Sequence, residues 1–230
     1  MTWPAERPPR KTITRAEIVR IGLRVVREEG IDALSMRRVA TEIGTGPSSL
    51  YAHVANKDEL LRLMFDEMCA LLTIPELDPP RWKEQIKELA RAGHQVMIEH
   101  NDLARAALAT IPTGPNALRI SNAMFGMMLA GGIPPRIGAW AMDRIFLYIT
   151  ADAYEYSIWR DQVHNAGSDK DTFISEMGRQ TLAYFEQLPA DIYPHIATYA
   201  TALVGGSVDA RFELGLDLLV DGLDKYAGVS

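Results

Sequence analysis

Apolar side chains recur at helical spacing from early in the chain. Ile18, Ile21, Val25 and Val26 fall on one face between Thr14 and Glu29, and Gly30 supplies a stop. A shorter stripe of Met36, Val39, Ala40 and Ile43 follows Ser35, which can cap it, and ends at Gly44. Pro47, whose missing amide proton costs nothing in a first turn, opens a third helix of little more than two turns that carries Leu50 and Val54 inward. Asn56 with Glu59 three residues later forms a capping-box pattern. Behind it, Leu60, Leu61, Met64, Phe65, Met68, Leu71 and Leu72 predict a longer fourth helix. Pro75, Pro79 and Pro80 end that helix and mark a boundary. Beyond it the spacing predicts helices over residues 81–100, 102–110, 115–130, 135–160, 169–187 and 209–225, with a shorter one over 192–203. No run alternates long enough to argue for a sheet, so the chain reads as all-α.

The composition supports a packed core: of 230 residues, 47% are apolar and 23% charged. Charges interrupt the longest apolar stretches well before the roughly 18 residues a bilayer crossing needs, and no basic segment followed by an apolar stretch opens the chain. A cytoplasmic protein without membrane contact is therefore expected. The single cysteine, Cys69, cannot form an internal disulfide, which fits a reducing compartment. The net charge of -6 is unevenly spread. Residues 1–62 hold eleven Lys and Arg against eight Asp and Glu, while the remainder holds thirteen against twenty-two. The amino end can face a polyanion, which the acidic remainder cannot easily do.

Two short helices joined by a tight turn, with a longer helix on each side, make the helix-turn-helix arrangement that presents its second member to the major groove of DNA. The third helix buries only Leu50 and Val54, leaving Ser48, Ser49, Tyr51, Ala52 and His53 to a partner. Small hydroxyls and a thin aromatic suit close approach to base edges and phosphate oxygens. Lys57 stands in the first turn of the fourth helix, where it opposes the partial positive charge of the helix end, a conflict that a bound phosphate relieves. Taken singly, Lys57, Arg37 and Arg38 also read as solvated surface charges.

From Gly30 to Leu61 the run GIDALSMRRVATEIGTGPSSLYAHVANKDELL resembles the DNA-binding domain of the TetR family. The shared order is a glycine after helix one, a small N-cap, an Ala and a Gly in helix two and its turn, Leu-Tyr and His-Val in helix three, then Asn-Lys. Near the other end, RFELGLDLLVDGLDKY is similar to the last helix of the tetracycline-repressor-like subgroup. The resemblance implies a flexible basic arm over residues 1–13, a DNA-binding domain over 14–72 that includes the linking fourth helix, and a ligand-binding and dimerisation domain over 73–230. It implies a homodimeric transcriptional repressor that binds a palindromic operator in double-stranded DNA and is released by a small effector. Carried over by position, Arg37, Tyr51 and Lys57 anchor phosphates, while Pro47, Ser48, Ser49 and His53 approach the bases. Ala52 departs from the subgroup, which has a bulky aromatic there, so the tetracycline operator is not the expected target. Arg7, Arg10 and Lys11 of the arm add contacts along the backbone or in a minor groove.

A lone helix-turn-helix contacts too few base pairs to specify a site, so a two-fold dimer is expected. In the last helix Phe212, Gly215, Leu216, Leu219, Leu223 and Tyr226 share a stripe, with Gly215 and Gly222 allowing close approach. The resemblance assigns this helix and the one over residues 135–160 to a four-helix interface. The stripe alone fits packing on its own subunit equally well. The middle of the chain carries Met97, Met124, Met127, Met128 and Met142 beside Phe125, Trp140 and Phe146, side chains that fill irregular cores and also line adaptable pockets. Because the family binds inducers in this region, the resemblance implies a mainly apolar cavity touching Met68, Leu89, Met97, Thr110, Met124, Met128, Met142 and Phe146. Where the tetracycline repressor holds its drug as a metal chelate, this chain has Leu89, Gly93 and Ala107, while Thr110 and Pro112 match. An apolar or aromatic effector is expected, with no metal or other cofactor, and the fourth helix is the natural lever between the two parts.

The arrangements an enzyme needs are scarce. His94 and His100 are six apart, about 240 degrees around a helix, so they form no one-face metal pair. There is no Gly-rich phosphate loop, HExxH or nucleophile elbow. Cys69, among Met68, Leu71 and Leu72, reads as a buried inert thiol, and His164 and His195 have no obvious partner. The remaining rival is a module of this fold that binds ligands or partners without DNA; the basic amino end and the complete run through Lys57 argue against it.

Overall fold

The computed structural model describes residues 13–100, 104, 107, 112–167 and 169–228. Most of the basic arm, with Arg7, Arg10 and Lys11, and most of the helix expected over 102–110, with Thr110, lie outside the described residues. Among those described, all regular structure is helical.

Local chemistry sets the amino-terminal elements. The Thr14 hydroxyl accepts from the Glu17 N–H (3.2 Å) to start α1 (Arg15–Glu29), and the Ser35 hydroxyl accepts from the Arg38 N–H (3.0 Å) to start α2 (Met36–Ile43). Gly44 ends α2 in the left-handed region, φ 79°, which a side chain would resist. Pro47 opens α3 (Pro47–Tyr51), and Asn56 caps α4 (Lys57–Ala70) by accepting from the Glu59 N–H at 2.8 Å. Glu59 in turn accepts from the Ala55 N–H, so the box closes on the residue before the cap.

Then follow α5 (Trp82–Glu99), α6 (Pro115–Ala130), α7 (Pro135–Ala166), α8 (Lys170–Glu186), α9 (Pro194–Thr198), α10 (Ala200–Val204) and α11 (Val208–Asp221). The differences from expectation lie at the ends. α4 stops at Ala70, leaving Leu71 exposed, and α7 runs past Arg160 to Ala166. The helix expected over 192–203 is two, meeting at Tyr199, and the last helix tightens into a 3-10 segment, Gly222–Tyr226.

One apolar core runs through the molecule. Ile18, Val25 and Val26 of α1, Val39 of α2 and Leu50 of α3 pack with Leu60, Met64 and Met68 of α4. The cluster continues without a break into Ile86 and Leu89 of α5, Met127 and Met128 of α6, Ile145 of α7 and Leu216 of α11. Dense interiors transmit displacement, so α4 cannot shift without moving neighbours on both sides.

α5 and α11 are also joined by a ladder of ion pairs. Lys83 meets Asp224 (2.7 Å), Lys87 meets Asp217 (2.7 Å) and Asp221 (3.0 Å), and Arg91 meets Glu213 through two bonds of 2.8 and 2.7 Å. Steps of four residues on α5 face steps of four along α11 and a last step of three into the 3-10 segment that holds Asp224, which keeps both rows facing each other.

The stripe on α11 expected at a dimer interface faces inward instead. Phe212, Leu216 and Leu223 are buried in their own protomer, and Leu219 packs partly buried against the same core. Phe212 stacks on His94 (centroids 3.9 Å) and on Tyr148 (5.6 Å). The space beside Gly215 is filled by Tyr148, whose hydroxyl donates to the Phe212 carbonyl (2.8 Å). α11 has apolar residues on two faces, and the face with the larger stripe covers its own core. Leu214 and Leu218, on the other face, are 60% and 68% exposed.

Candidate DNA-binding face and effector cavity

Leu50 and Val54 are fully buried and seat α3 on its neighbours. Pro47, Ser48, Ser49, Tyr51 and Ala52 are exposed, with Tyr51 at 53%. His53 is half-buried, and its carbonyl accepts from Arg15 Nε (3.0 Å), which ties the end of α3 to α1. Thr45 Oγ1 donates to Ser49 Oγ (3.1 Å), leaving Ser49 its own proton to donate to a base or phosphate.

The two neighbouring arginines have opposite fates. Arg38 bonds Glu29 (2.6 Å) and Glu42 (2.5 Å), and Arg24 also reaches Glu42 (2.6 Å). Hydrogen bonds to Glu29 and then Glu42 hold the Arg38 guanidinium above its ordinary pKa. Arg38 thus ties α2 to α1. Arg37 is exposed and forms no ion pair among the described residues, so its charge remains available to phosphate. Lys57, half-buried at the first position of α4, likewise has no ion pair among the described residues. Arg37 on α2 and Lys57 at the start of α4 thus stand on either side of α3 in the chain, each without an ion-pair partner among the described residues.

At the other end of α4 a cavity of about 340 Å³ opens between α4, α5, α6 and α7. Leu89, Met97, Met124, Met142 and Phe146 line it. Met68 and Met128 do not: they are 2% and 0% exposed and belong to the solid core. Methionine suits either place, and only the rotation of the helix decides which it takes. The walls also include Phe65 and Cys69 from α4 and Leu72 just past its end, a row at helical spacing that the sequence carried openly, and Gly93, Ala107, Pro112, Ile120, Ser121 and Ile149. The three positions without chelating groups, Leu89, Gly93 and Ala107, are thus all in the wall. No cluster of three His, Cys, Asp or Glu able to hold a metal occurs among the described residues. Polar atoms reach the cavity from Ser121 and Asp143. Burial pushes the Cys69 thiol up to about 12, aided by the nearby Asp66 charge, so it lines the wall as an inert group. His94 is paired with Asp152 (Nε2 to Oδ2, 2.7 Å).

A groove-sized helix near one end of α4 and an apolar chamber against the other are the working parts of a ligand-responsive helix-turn-helix regulator. Known families match both regions of the chain. Residues 18–64 match the model of bacterial regulatory proteins of the tetR family, and residues 74–227 match that of the tetracyclin repressor-like C-terminal domain. The chain belongs to the TetR family of transcriptional regulators, which is not a class of enzymes. The HTH-type transcriptional repressor DrrR1 of Streptomyces coeruleorubidus is 29% identical over 222 residues, covering 95% of this chain and 80% of its own. Apo ActR from Streptomyces coelicolor superposes with a TM-score of 0.83 at 37% identity, covering 95% of this chain and 100% of that one. ActR in complex with actinorhodin gives 0.84 at 35% identity, covering 97% and 99%. Among the described residues no helix is long and apolar enough to cross a membrane.

Proposed function

We propose that the chain is a cytoplasmic homodimeric repressor that binds a palindromic operator through α3 and is released by a small apolar or aromatic effector held in the α4–α7 cavity. The observation that carries this reading is α4 itself. One end presents Lys57 close after the exposed α3 in the chain; the other contributes Phe65 and Cys69 to the cavity, followed at once by Leu72. Arg37, Tyr51 and Lys57 hold phosphates, and Pro47, Ser48, Ser49 and His53 approach bases. The effector is apolar because the wall is, and the solution of ActR with actinorhodin supports a regulator of this fold that takes a small molecule. The dimer forms through α7 and α11, whose apolar residues Trp140, Ile158, Leu214 and Leu218 face outward. Trp140 and Ile158 stand five helical turns apart and so share one face of α7.

The reading is tested by gel retardation on the chain's own promoter region at graded salt. A retarded band that fades steeply as salt rises, and that Arg37→Ala or Tyr51→Ala abolishes, supports it. A protein that stays monomeric and shows no preference among random duplexes at low salt ends it. A thermal-shift screen separates the effector classes: stabilisation only by metal-chelated tetracycline contradicts the apolar assignment.

A further inference from the structure

α4 and α6 each lack part of their own capping, and each takes it from the other. α6 begins with Gly114 and Pro115, with no side-chain cap of its own and no acid in its first turn. Asp66 of α4, only 8% exposed, fills that role. Its Oδ1 accepts from the Asn116 and Ala117 N–H groups, both at 2.9 Å, and its Oδ2 accepts from Asn116 Nδ2 at 3.0 Å. α4 in turn has no base in its last turn. Arg119 of α6 supplies one, its Nη2 donating to the carbonyls of Leu72 (3.0 Å) and Cys69 (3.3 Å). An acid at a helix N-terminus and a base at a C-terminus are the two arrangements the peptide dipoles favour, and charge-assisted bonds are the strong ones. The fit leaves no slack: a Cβ at Gly114 would collide with the Asp66 carboxylate.

The clamp sits behind the cavity wall. Phe65 and Cys69 flank Asp66 along α4, and Ala117, Ile120 and Ser121 bracket Arg119 along α6, all of them lining the chamber. A buried carboxylate stripped of its donors is costly, so α6 cannot withdraw from α4 without dragging it. Lys57 stands nine residues up the same helix, about 13 Å away. We propose that Asp66 and Arg119 are the positioning pair that converts occupancy of the cavity into displacement of α4, and with it α3. The inference rests on the DNA-binding and effector reading above.

The test needs no identified effector, because Ser121→Trp fills the cavity from α6 and serves as a built-in occupant. Operator affinity is measured by fluorescence anisotropy on full-length wild type, Ser121→Trp, Asp66→Asn, Arg119→Gln and the two double variants, using the promoter duplex. Ser121→Trp alone weakens binding by about tenfold or more, within the usual range of coupling between sites. In the Asp66→Asn and Arg119→Gln backgrounds the same substitution changes affinity by less than about twofold, since neighbours that act as a unit fail to add. Hydrogen exchange gives a second reading that simple destabilisation does not move. In wild type, adding operator changes protection of the Asn116 and Ala117 amides but not of Met127 in mid-helix, because coupling is reciprocal. Losses that simply multiply, or no effect of Ser121→Trp on operator affinity, overturn the proposal. Should Asp66→Asn fail to fold, Arg119→Gln carries the same comparison. A wild-type chain with no preferred duplex is seen before any variant is compared; it removes the DNA-binding reading and the clamp's role with it.

Discussion

Leu50→Ala isolates the seat of the recognition helix from its contact surface. Leu50 is fully buried and is all that the five-residue helix α3 turns inward, with Val54 buried three residues past its end. Deleting its isobutyl tip removes about three carbons from the core, roughly 2.4 kcal/mol at about 0.8 kcal/mol per methylene, before any cavity is counted. Leu→Ala series span about 2–5 kcal/mol, and a short helix near the surface can settle partly into the gap, so about 3 kcal/mol is expected here. Against a typical total of about 5–15 kcal/mol, that is a large loss. It can fall on global unfolding or on local detachment of α3. In the second case the competent fraction shrinks, and operator affinity falls by up to roughly a hundredfold, the full factor being reached where the seated and detached forms of α3 are already near balance in the wild type. Urea denaturation at fixed protomer concentration reads the first and anisotropy on the operator reads the second. The control is Tyr51→Ala, exposed by 53%, which should move stability by no more than about 0.5 kcal/mol while weakening DNA binding. If Leu50→Ala leaves both the urea midpoint and the operator affinity at wild-type values, α3 is not held as described.

Three further outcomes follow from the same geometry. Arg37→Ala and Lys57→Ala should each lower the slope of log affinity against log salt by about 1.8 for the dimer, about 0.9 per protomer, whereas Arg38→Ala should leave the slope unchanged and lower the melting temperature; equal slopes in all three would remove the distinction between the two arginines. In the α5–α11 ladder, the hydrogen bond from Lys87 holds Asp217 below the usual carboxylate range, and that from Arg91 does the same for Glu213. A depressed folded pKa adds stability above the unfolded value, about 4, that is lost as pH falls through the folded one, so melting temperature should hold from neutral pH to about 5 and then drop. Asp217→Asn with Glu213→Gln should flatten that acid limb, and an unchanged limb would assign it to other groups. Cys69, with its thiol pushed up to about 12 by burial, should react with Ellman's reagent only after denaturant is added; prompt labelling of the native protein would contradict its place in the wall.

The amino-terminal helices were legible because each boundary is written within a turn of where it acts. Thr14, Ser35 and Asn56 accept from amides three residues on, Gly44 supplies a left-handed stop, and Pro47 starts α3 where a missing amide is harmless. The exposed character of Ser48, Ser49 and Tyr51 followed from the scarcity of apolar residues in that helix. The alanine, glycine and leucine where a chelate would need ligands were equally plain.

Which of two similar residues does which task was decided elsewhere. Arg37 and Arg38 are adjacent and alike, and the placement of Glu29 across the α1–α2 contact, with Glu42 one turn on along α2, takes one charge and leaves the other. Met68 and Met128 went to the core, and Met97, Met124 and Met142 to the cavity, according to how each helix is rotated. The stripe on α11 turned inward because Phe212 found His94 and Tyr148. The caps that bind α4 to α6 lie about fifty residues apart in the chain, beyond the reach of any local pattern. Capping and periodicity are short-range properties of a helix and can be read along it; a choice between chemically equivalent side chains depends on which neighbour packing brings near, and that exists only once the chain has folded.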